Sequence, residues 1–158
     1  MFALTVPQPY ASMLAKRETM CVGSCRRVMP RQGVAIYAGK SRLLRPAENR
    51  AYVTGHIIAI ADVEACEATD YFWSTYHFGR KDRTVGGVAV KAIADSEWNR
   101  HLGNVLVLSN VQAIEPIQVK GKAGLWLLRD EAAARVSALR GEWLASRIKE
   151  AGHVQAEA

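Results

Sequence analysis

Two lysine-containing turns in this 158-residue sequence suit phosphate chemistry, and the first is centred on Lys40. Lys40 lies between Gly39 and Ser41, directly after the apolar segment 34–38. A lysine at the end of a buried strand is partly desolvated, which makes it a candidate for phosphate contact or acid–base catalysis. The order Gly-Lys-Ser also ends a P-loop, but the upstream glycine of that motif is missing, which argues against nucleoside-triphosphate binding. The alternative for Lys40 is a solvated turn.

The second turn places Lys120 and Lys122 on either side of Gly121, with Trp126 shortly after. Glycine has no side chain, so the backbone here can approach a phosphate closely. Trp126 would then form one wall of a pocket. The alternative is a solvated loop, with the tryptophan in the core.

A polar amide and an aromatic ring, Gln8 and Tyr10, lie at a predicted strand-to-helix junction. An aromatic ring can stack on an unpaired base while an amide hydrogen-bonds to the edge of that base. The alternative is that Tyr10 packs on the start of the helix.

No metal or cofactor is expected from the spacing of the potential ligands. Cys21 and Cys25 lack a second ligand pair nearby, and Cys66 leaves the cysteine count odd, which indicates reduced thiols. The acidic residues Asp62 and Glu64 alternate on one strand and are interpreted as its solvated edge. A cysteine nucleophile remains open, although no specific motif supports it.

Positive charge is concentrated in the first third of the chain. The formal net charge is +6, and residues 1–50 hold nine basic and only two acidic side chains. This asymmetry is typical of a protein that binds a polyanion, with Arg17, Arg26 and Arg27 as further candidate contacts. The alternative is a basic surface that only maintains solubility.

The composition, 49% hydrophobic and 23% charged, is that of one globular domain and excludes a disordered or disulfide-rich chain. The longest apolar run is too short for a membrane helix, and the N-terminus does not resemble a signal peptide. We therefore expect a cytoplasmic protein with no membrane partner.

Short apolar segments between turn residues predict an α+β fold around a curved sheet or small barrel. Residues 1–150 are expected to form one domain, followed by a frayed tail, 151–158. The predicted strands are 2–6, 19–22, 34–38, 56–66, 104–114 (broken by Pro116, with 117–119 continuing extended) and 125–128. The predicted helices are 9–15, 46–52, 68–76, 93–101 and an amphipathic C-terminal helix, 130–150.

Four segments, in this order, resemble the ASCH domain of the PUA-like superfamily. The resemblance covers about residues 3–128, and the C-terminal helix lies outside it. The matching segments are LTVPQPYAS (4–12), IYAGKS (36–41), the strand 55–66, and 116–126, which contains KGKAGLW.

The resemblance implies a β-barrel of about six strands with flanking helices and a cleft for RNA or nucleotide-like ligands. Some members of the family are similar to coactivator modules and others are hydrolases. In one branch, amidohydrolases acting on acetylated cytidine, a lysine and a threonine lie three apart after the first helix. Those positions are Glu18 and Cys21 here. Glu18 cannot act as an amine base, so the amidohydrolase mechanism is not supported.

Charge and resemblance together predict an RNA-binding or RNA-processing protein, with a metal-independent ribonuclease as the catalytic hypothesis. The expected partner is RNA, single-stranded or structured. The alternatives are an enzyme acting on a modified base or nucleoside, and a non-catalytic nucleic-acid interaction module. We expect one concavity to contain Gln8, Tyr10, Lys40, Lys120 and Lys122. The catalytic candidates are Lys40, Tyr10 and Ser109. The RNA-binding candidates are Gln8, Arg17, Arg26, Arg27, Ser41, Lys120, Lys122 and Trp126.

Overall fold

The computed structural model describes residues 1–41, 44–68, 84–85, 88–89 and 103–156. The predicted helices 68–76 and 93–101 therefore fall almost entirely outside the described residues. The strands are β1 (Phe2–Pro7), β2 (Cys21–Ser24), β3 (Arg31–Gly39), β4 (His56–Ala68), β5 (Thr84–Val85), β6 (Val88–Ala89), β7 (Asn104–Gln118) and β8 (Leu125–Leu127). The helices are α1 (Tyr10–Ala15), α2 (Pro46–Arg50) and α3 (Asp130–Ala156).

Six of these strands form one curled sheet in the order β2-β7-β4-β3-β1-β8. β1 and β3 are parallel, and the other four pairs in this sheet are antiparallel. β5 and β6 pair with each other in a second, two-stranded sheet. Within the described part of the chain, β2 and β8 are the two edges of the large sheet, which is therefore a half-barrel. The prediction of an α+β fold with a mostly antiparallel sheet curling toward a barrel is confirmed.

The two faces of this sheet carry separate hydrophobic cores, because successive side chains of a strand point to opposite faces. The inner face, which includes Leu4, Ile36 and Leu108, packs against Ala11 and Leu14 of α1. The outer face includes Ala35, Ile57 and Ile117 and packs against Val136 and its neighbours on α3. The apolar run 57–61 of β4 thus contributes to both cores.

The chain remains extended beyond Pro116 as expected, but Pro116 does not divide the strand, because β7 continues without a break to Gln118. Ala113 pairs with Ala59 and Ile117 with Ile57, so Pro116 lies within a register irregularity. A proline cannot donate a ladder hydrogen bond and is tolerated in a sheet at such a bulge.

The C-terminal helix is longer than expected. α3 continues to Ala156, so the predicted tail from residue 151 is mostly helical. Val136 is fully buried against the sheet, whereas Leu144 and Ile148 are 41% and 73% exposed. Only the first part of α3 is therefore covered by the sheet. None of the described helices is both long and apolar enough to cross a membrane.

Candidate functional site

Lys40 lies at the end of the sheet where four chain segments meet. The last residues of the parallel strands β1 and β3, Pro7 and Gly39, are paired. At the same end, His56 of β4 pairs with Ala38 and with Gln118. The residues that follow β1, β3 and β7 therefore emerge together, next to the loop that enters β4. We call this the Lys40 end of the sheet.

A cleft of about 930 Å³ opens at the Lys40 end, between β3, α2 and the loop that enters β4. This volume is within the range of roughly 300–1,000 Å³ that is typical of small-ligand sites. The described residues that line the cleft are Lys40, Ser41, Leu44, Pro46, Arg50, Tyr52 and Thr54.

Buried hydrogen bonds fix the loop that carries Tyr52 and Thr54. Gln8 is fully buried, and its Nε2 donates to the Val53 carbonyl at 2.7 Å. The Gly55 amide donates to the Ala38 carbonyl at 2.8 Å, which joins the loop to β3. This wall of the cleft is thus tied to two elements of the core.

The cleft is positively charged. Lys40 and Arg50 line it, and no Asp or Glu is among its described lining residues. Ser41, Tyr52 and Thr54 add hydroxyl groups, and Leu44 and Pro46 add apolar surface. Cations, hydroxyl groups and an aromatic ring form a surface that suits a phosphorylated ligand with a planar group.

Lys120 and Lys122 are exposed at the same end of the sheet, but they do not line the cleft. Their loop crosses β3, where an added Cβ at Gly121 would lie 2.2 Å from the Tyr37 ring. Only glycine allows this approach without displacing the ring. The close approach that Gly121 allows is therefore an approach of its backbone to Tyr37, a side chain of the protein itself.

Trp126 packs within the protein and does not line the cleft. Its ring meets Tyr37 edge-on at 5.8 Å between centroids. The indole Nε1 donates to the Thr5 hydroxyl at 3.0 Å, and that hydroxyl donates to the Lys122 carbonyl. Trp126 is thus partly buried and packs against the outer-face core.

Gln8 and Tyr10 lie close to the Lys40 end, yet neither lines the cleft. Both functional atoms of the Gln8 amide are used internally, since its Oε1 also accepts from the Ser12 amide at 3.1 Å. Tyr10 begins α1 and packs against the inner core. Of the five residues expected to share one concavity, Lys40 is the one found among the described lining residues of this cleft.

Ser109 is separated from Lys40 and Tyr10 by its position in the sheet. It pairs with Asp62 on β4, six residues beyond His56, and is 8% exposed. Its hydroxyl donates to the Glu64 carboxylate. The alternation along β7 places Ser109 on the outer face, since its neighbour Leu108 belongs to the inner core. The structure therefore does not assemble Lys40, Tyr10 and Ser109 into one catalytic group.

The arginines predicted to contact RNA also lie away from the cleft. Arg26 and Arg27 follow β2, whose last residue, Ser24, pairs with Asn104. Asn104 in turn pairs with Ala68, which is at the other end of β4 from His56. Arg17 has a φ of 60° just after α1, and its Nε donates to the Val111 carbonyl at 3.0 Å. The basic residues of the first third are thus spread over the sheet.

Cys21 is unsuited to act as a nucleophile. Its side chain is 2% exposed, and burial, together with the charge of Glu67, raises the pKa of its thiol to about 12. The thiolate, which is the reactive form, is therefore scarce at neutral pH. Within the described ranges, no group of three His, Cys, Asp or Glu side chains is arranged to hold a metal ion.

Sequence reasoning missed Arg50 and Tyr52. Both lie within the predicted helix 46–52, where the sequence pattern indicates surface residues of a short helix. The available signal was weak: a basic and an aromatic residue shortly after the Lys40 turn. Only the return of the chain toward β3 makes them line the same cleft as Lys40.

A six-stranded curled half-barrel sheet with helices on both faces defines an α+β class of small proteins. Three crystal structures of the ASCH protein from Zymomonas mobilis have this architecture. The unmodified protein gives a TM-score of 0.57 at 17% identity, covering 87% of this chain and 94% of its own. A serine-to-alanine variant gives 0.56 at 17%, with the same coverage. A tyrosine-to-phenylalanine variant gives 0.57 at 16%, covering 87% and 96%.

No family model matches the sequence, and no curated protein matches it either. The likeness to these solved structures shows the fold, which is similar to that of the Zymomonas mobilis ASCH protein. The fold implied by the four sequence segments is therefore confirmed.

Proposed function

We propose that this protein binds RNA through phosphate contacts at the Lys40 end of the sheet. The observation that carries the proposal is the cleft beside Lys40, in which Lys40 and Arg50 are not accompanied by any described acidic side chain. Lys120 and Lys122 are exposed at the same end and extend the positive surface beyond the cleft. The ASCH fold, the net charge of +6 and the sequence resemblance support the same class of ligand.

RNA processing is the finer part of this proposal. In cleavage without a metal, a base takes the proton of the RNA 2′-hydroxyl, whose oxygen attacks the adjacent phosphorus. The bond to the 5′-oxygen of the next nucleotide breaks, that oxygen takes up a proton, and a 2′,3′-cyclic phosphate is left. A cation must stabilise the charge that develops on the phosphorane. Lys40 is our candidate for that cation, because it lines the cleft from the rigid end of β3.

The binding proposal is tested by measuring the affinity for a fluorescent single-stranded RNA as a function of salt. Each phosphate contact contributes a slope of about −0.7 in log K against log salt. We expect Lys40→Ala and Lys122→Ala each to weaken binding and to flatten the slope by about 0.7. Lys149→Ala, which changes an exposed lysine of α3, is the matched control. Undetectable RNA binding at low salt, or an affinity independent of salt, would overturn the proposal.

The same samples test processing when the RNA is recovered after incubation with EDTA. We expect cleavage to persist in EDTA and a 2′-deoxy substrate to bind without being cut. Lys40→Ala should lower turnover by a larger factor than it lowers affinity. Cutting of DNA at an equal rate would show that the 2′-hydroxyl mechanism is wrong.

A further inference from the structure

We propose that two copies of this chain associate through the outward face of α3, with the two helices antiparallel. The outward face is the side of α3 turned away from the sheet, and its residues are Ala134, Ala138, Gly141, Leu144, Ala145 and Ile148. This association goes beyond the proposed RNA binding and is measured without RNA.

The outward face of α3 is apolar, although it is exposed to solvent. At about 100° per residue, its six residues fall within an arc of roughly 120°, opposite the buried Val136. Leu144 and Ile148 are 41% and 73% exposed, and an added Cβ at Gly141 would meet no other atom within 4 Å. A helix that covers a sheet normally has polar residues on its solvent side. Apolar residues on both sides of α3 indicate that a partner covers the outward face.

The small residues of the outward face define a register for two antiparallel helices. When Ala138 faces Gly141 of the second copy, Ala134 faces Ala145 of that copy, and each contact occurs twice because of the two-fold axis. Side chains this small allow the two helix axes to approach to the lower end of the usual range of roughly 8–10 Å. Ile148 lies on the same arc, so the contact also removes it from water.

A row of alternating charges flanks the outward face along one side. In chain order these exposed side chains are Glu131, Arg135, Glu142 and Lys149, and they lie within roughly 40° of one another around the helix axis. Among the described residues, none of the four takes part in an ion pair. In the register given above, Glu131 comes within roughly two residues, about 3 Å along the axis, of Lys149 of the second copy. Arg135 comes equally close to Glu142 of that copy, so the two copies have complementary charges.

These charges favour an antiparallel pair over a parallel one. In an antiparallel pair the same flank of the two helices meets, whereas in a parallel pair opposite flanks meet. Between residues 131 and 149, the charged residues of the opposite flank are Arg140 and Arg147, so a parallel pair would leave Arg135 and Lys149 without an acidic neighbour. The contact extends over about 27 Å of helix and is small, so we expect a dimer that dissociates on dilution.

Sedimentation velocity over about two decades of micromolar concentration measures the dissociation constant of the dimer. We expect wild type to change from the monomer mass of 17.4 kDa to twice that mass as the concentration rises. Arg135→Glu and Glu142→Arg should each raise the dissociation constant about tenfold or more, because each variant places like charges together twice. An equimolar mixture of the two variants should restore the dimer, since the heterodimer brings every one of these charges back beside an opposite charge.

The apolar part of the contact is tested by Ile148→Ser, which should raise the dissociation constant about fivefold or more. Met29→Ser, which changes a 63% exposed apolar side chain outside α3, is the matched control and should leave the dissociation constant unchanged. Circular dichroism of each variant establishes that it is folded. A wild-type protein that stays monomeric at the highest concentration, or a dimer that all three α3 variants leave unchanged, would overturn the inference. A mixture that stays monomeric when each charge variant alone is monomeric would overturn the antiparallel arrangement. None of these outcomes bears on RNA binding, so the proposed function is tested separately.

Discussion

Gln8 illustrates how burial decides the role of a polar side chain. Its amide is of the type that reads the edge of a base, yet it is fully buried beneath the start of α1. There it accepts from the Ser12 amide at 3.1 Å and donates to the Val53 carbonyl at 2.7 Å, so its amide joins α1 to the loop that enters β4. Gln8 therefore shapes the cleft indirectly, because it holds the loop on which Tyr52 lies.

Cys21 provides the residue-scale prediction, which concerns stability at high pH. Burial, with the charge of Glu67, holds the pKa of the folded thiol at about 12, whereas its ordinary value is 9.0. As pH rises above 9, the unfolded chain releases this proton while the folded chain keeps it, so folding becomes less favourable. The contribution of the protonated Cys21 thiol to folding stability is complete below pH 9 and is lost as the pH approaches 12.

The measurement is urea unfolding of wild type and Cys21→Ala at pH 8 and pH 10. Between pH 8 and pH 10, the free energy of unfolding of wild type should fall by about 1.4 kcal/mol more than that of the variant. This difference arises because pH 10 is one unit above the pKa of the thiol in the unfolded chain. Other titrating groups are common to both proteins and cancel in the comparison. An identical pH dependence for the two proteins would show that the thiol ionises as readily in the folded state.

At the scale of elements, the docking of α3 on the sheet depends on a polar cluster around Asp62. The Asp62 carboxylate accepts from the Gly33 amide at 2.6 Å, from Asn110 Nδ2 at 2.9 Å and from Arg140 Nη2 at 3.0 Å. Gly33 has a φ of +68°, and an added Cβ there would lie 1.7 Å from the Arg140 guanidinium. The glycine thus makes room for the arginine that joins α3 to β4.

We expect Asp62→Ala to lower the free energy of unfolding by about 2–4 kcal/mol, because it leaves a buried amide and a partly buried guanidinium without their acceptor. Arg140→Ala should cost less, about 1–2 kcal/mol, since Asp62 keeps its other two donors. Arg147→Ala, on the exposed part of the same helix, should change stability by no more than about 0.5 kcal/mol.

A double-mutant cycle from urea unfolding checks this coupling. Both single variants remove the same ion pair. The loss of unfolding free energy in the double variant should therefore be about 1 kcal/mol smaller than the sum of the two single losses. Strict additivity would mean that the contact of Asp62 with Arg140 does not stabilise the docking of α3.

At the scale of the whole molecule, described basic residues lie at both ends of the sheet. Lys40 and Lys122 lie at one end, whereas Arg26 and Arg27 follow β2 at the other. The 13-residue strand β4 connects these ends and spans roughly 40 Å at about 3.3 Å per residue. One short oligonucleotide cannot contact both ends.

This separation predicts that the effect of the distant arginines depends on RNA length. Replacing Arg26 and Arg27 by alanine should leave the affinity for a tetranucleotide unchanged, because that ligand reaches only the Lys40 end. The same replacement should weaken binding of a 30-nucleotide single strand and flatten its salt slope by up to about 1.4. Isothermal titration calorimetry of both ligands with wild type and the double variant gives the comparison. An equal loss of affinity for the tetranucleotide and for the 30-nucleotide strand would contradict the idea that RNA contacts both ends of the sheet.

The local sequence determined most of the strands and the location of Lys40. Alternating or continuous apolar residues at 2–6, 34–38 and 56–66 predict strands because such segments can bury one or both faces in a sheet. The lysine after the second of these segments had to emerge at a strand end. These features depend on neighbours in the chain, so a single sequence is enough to predict them.

Only the tertiary structure decided which residues join Lys40. The pairing of Pro7 with Gly39, and of His56 with both Ala38 and Gln118, brings together segments that are far apart in the chain. The same register places Ser109 on the outer face beside Glu64 and brings Arg50 and Tyr52 to the cleft. A shift of one residue in a strand reverses the face of every side chain, and that register is set by long-range packing.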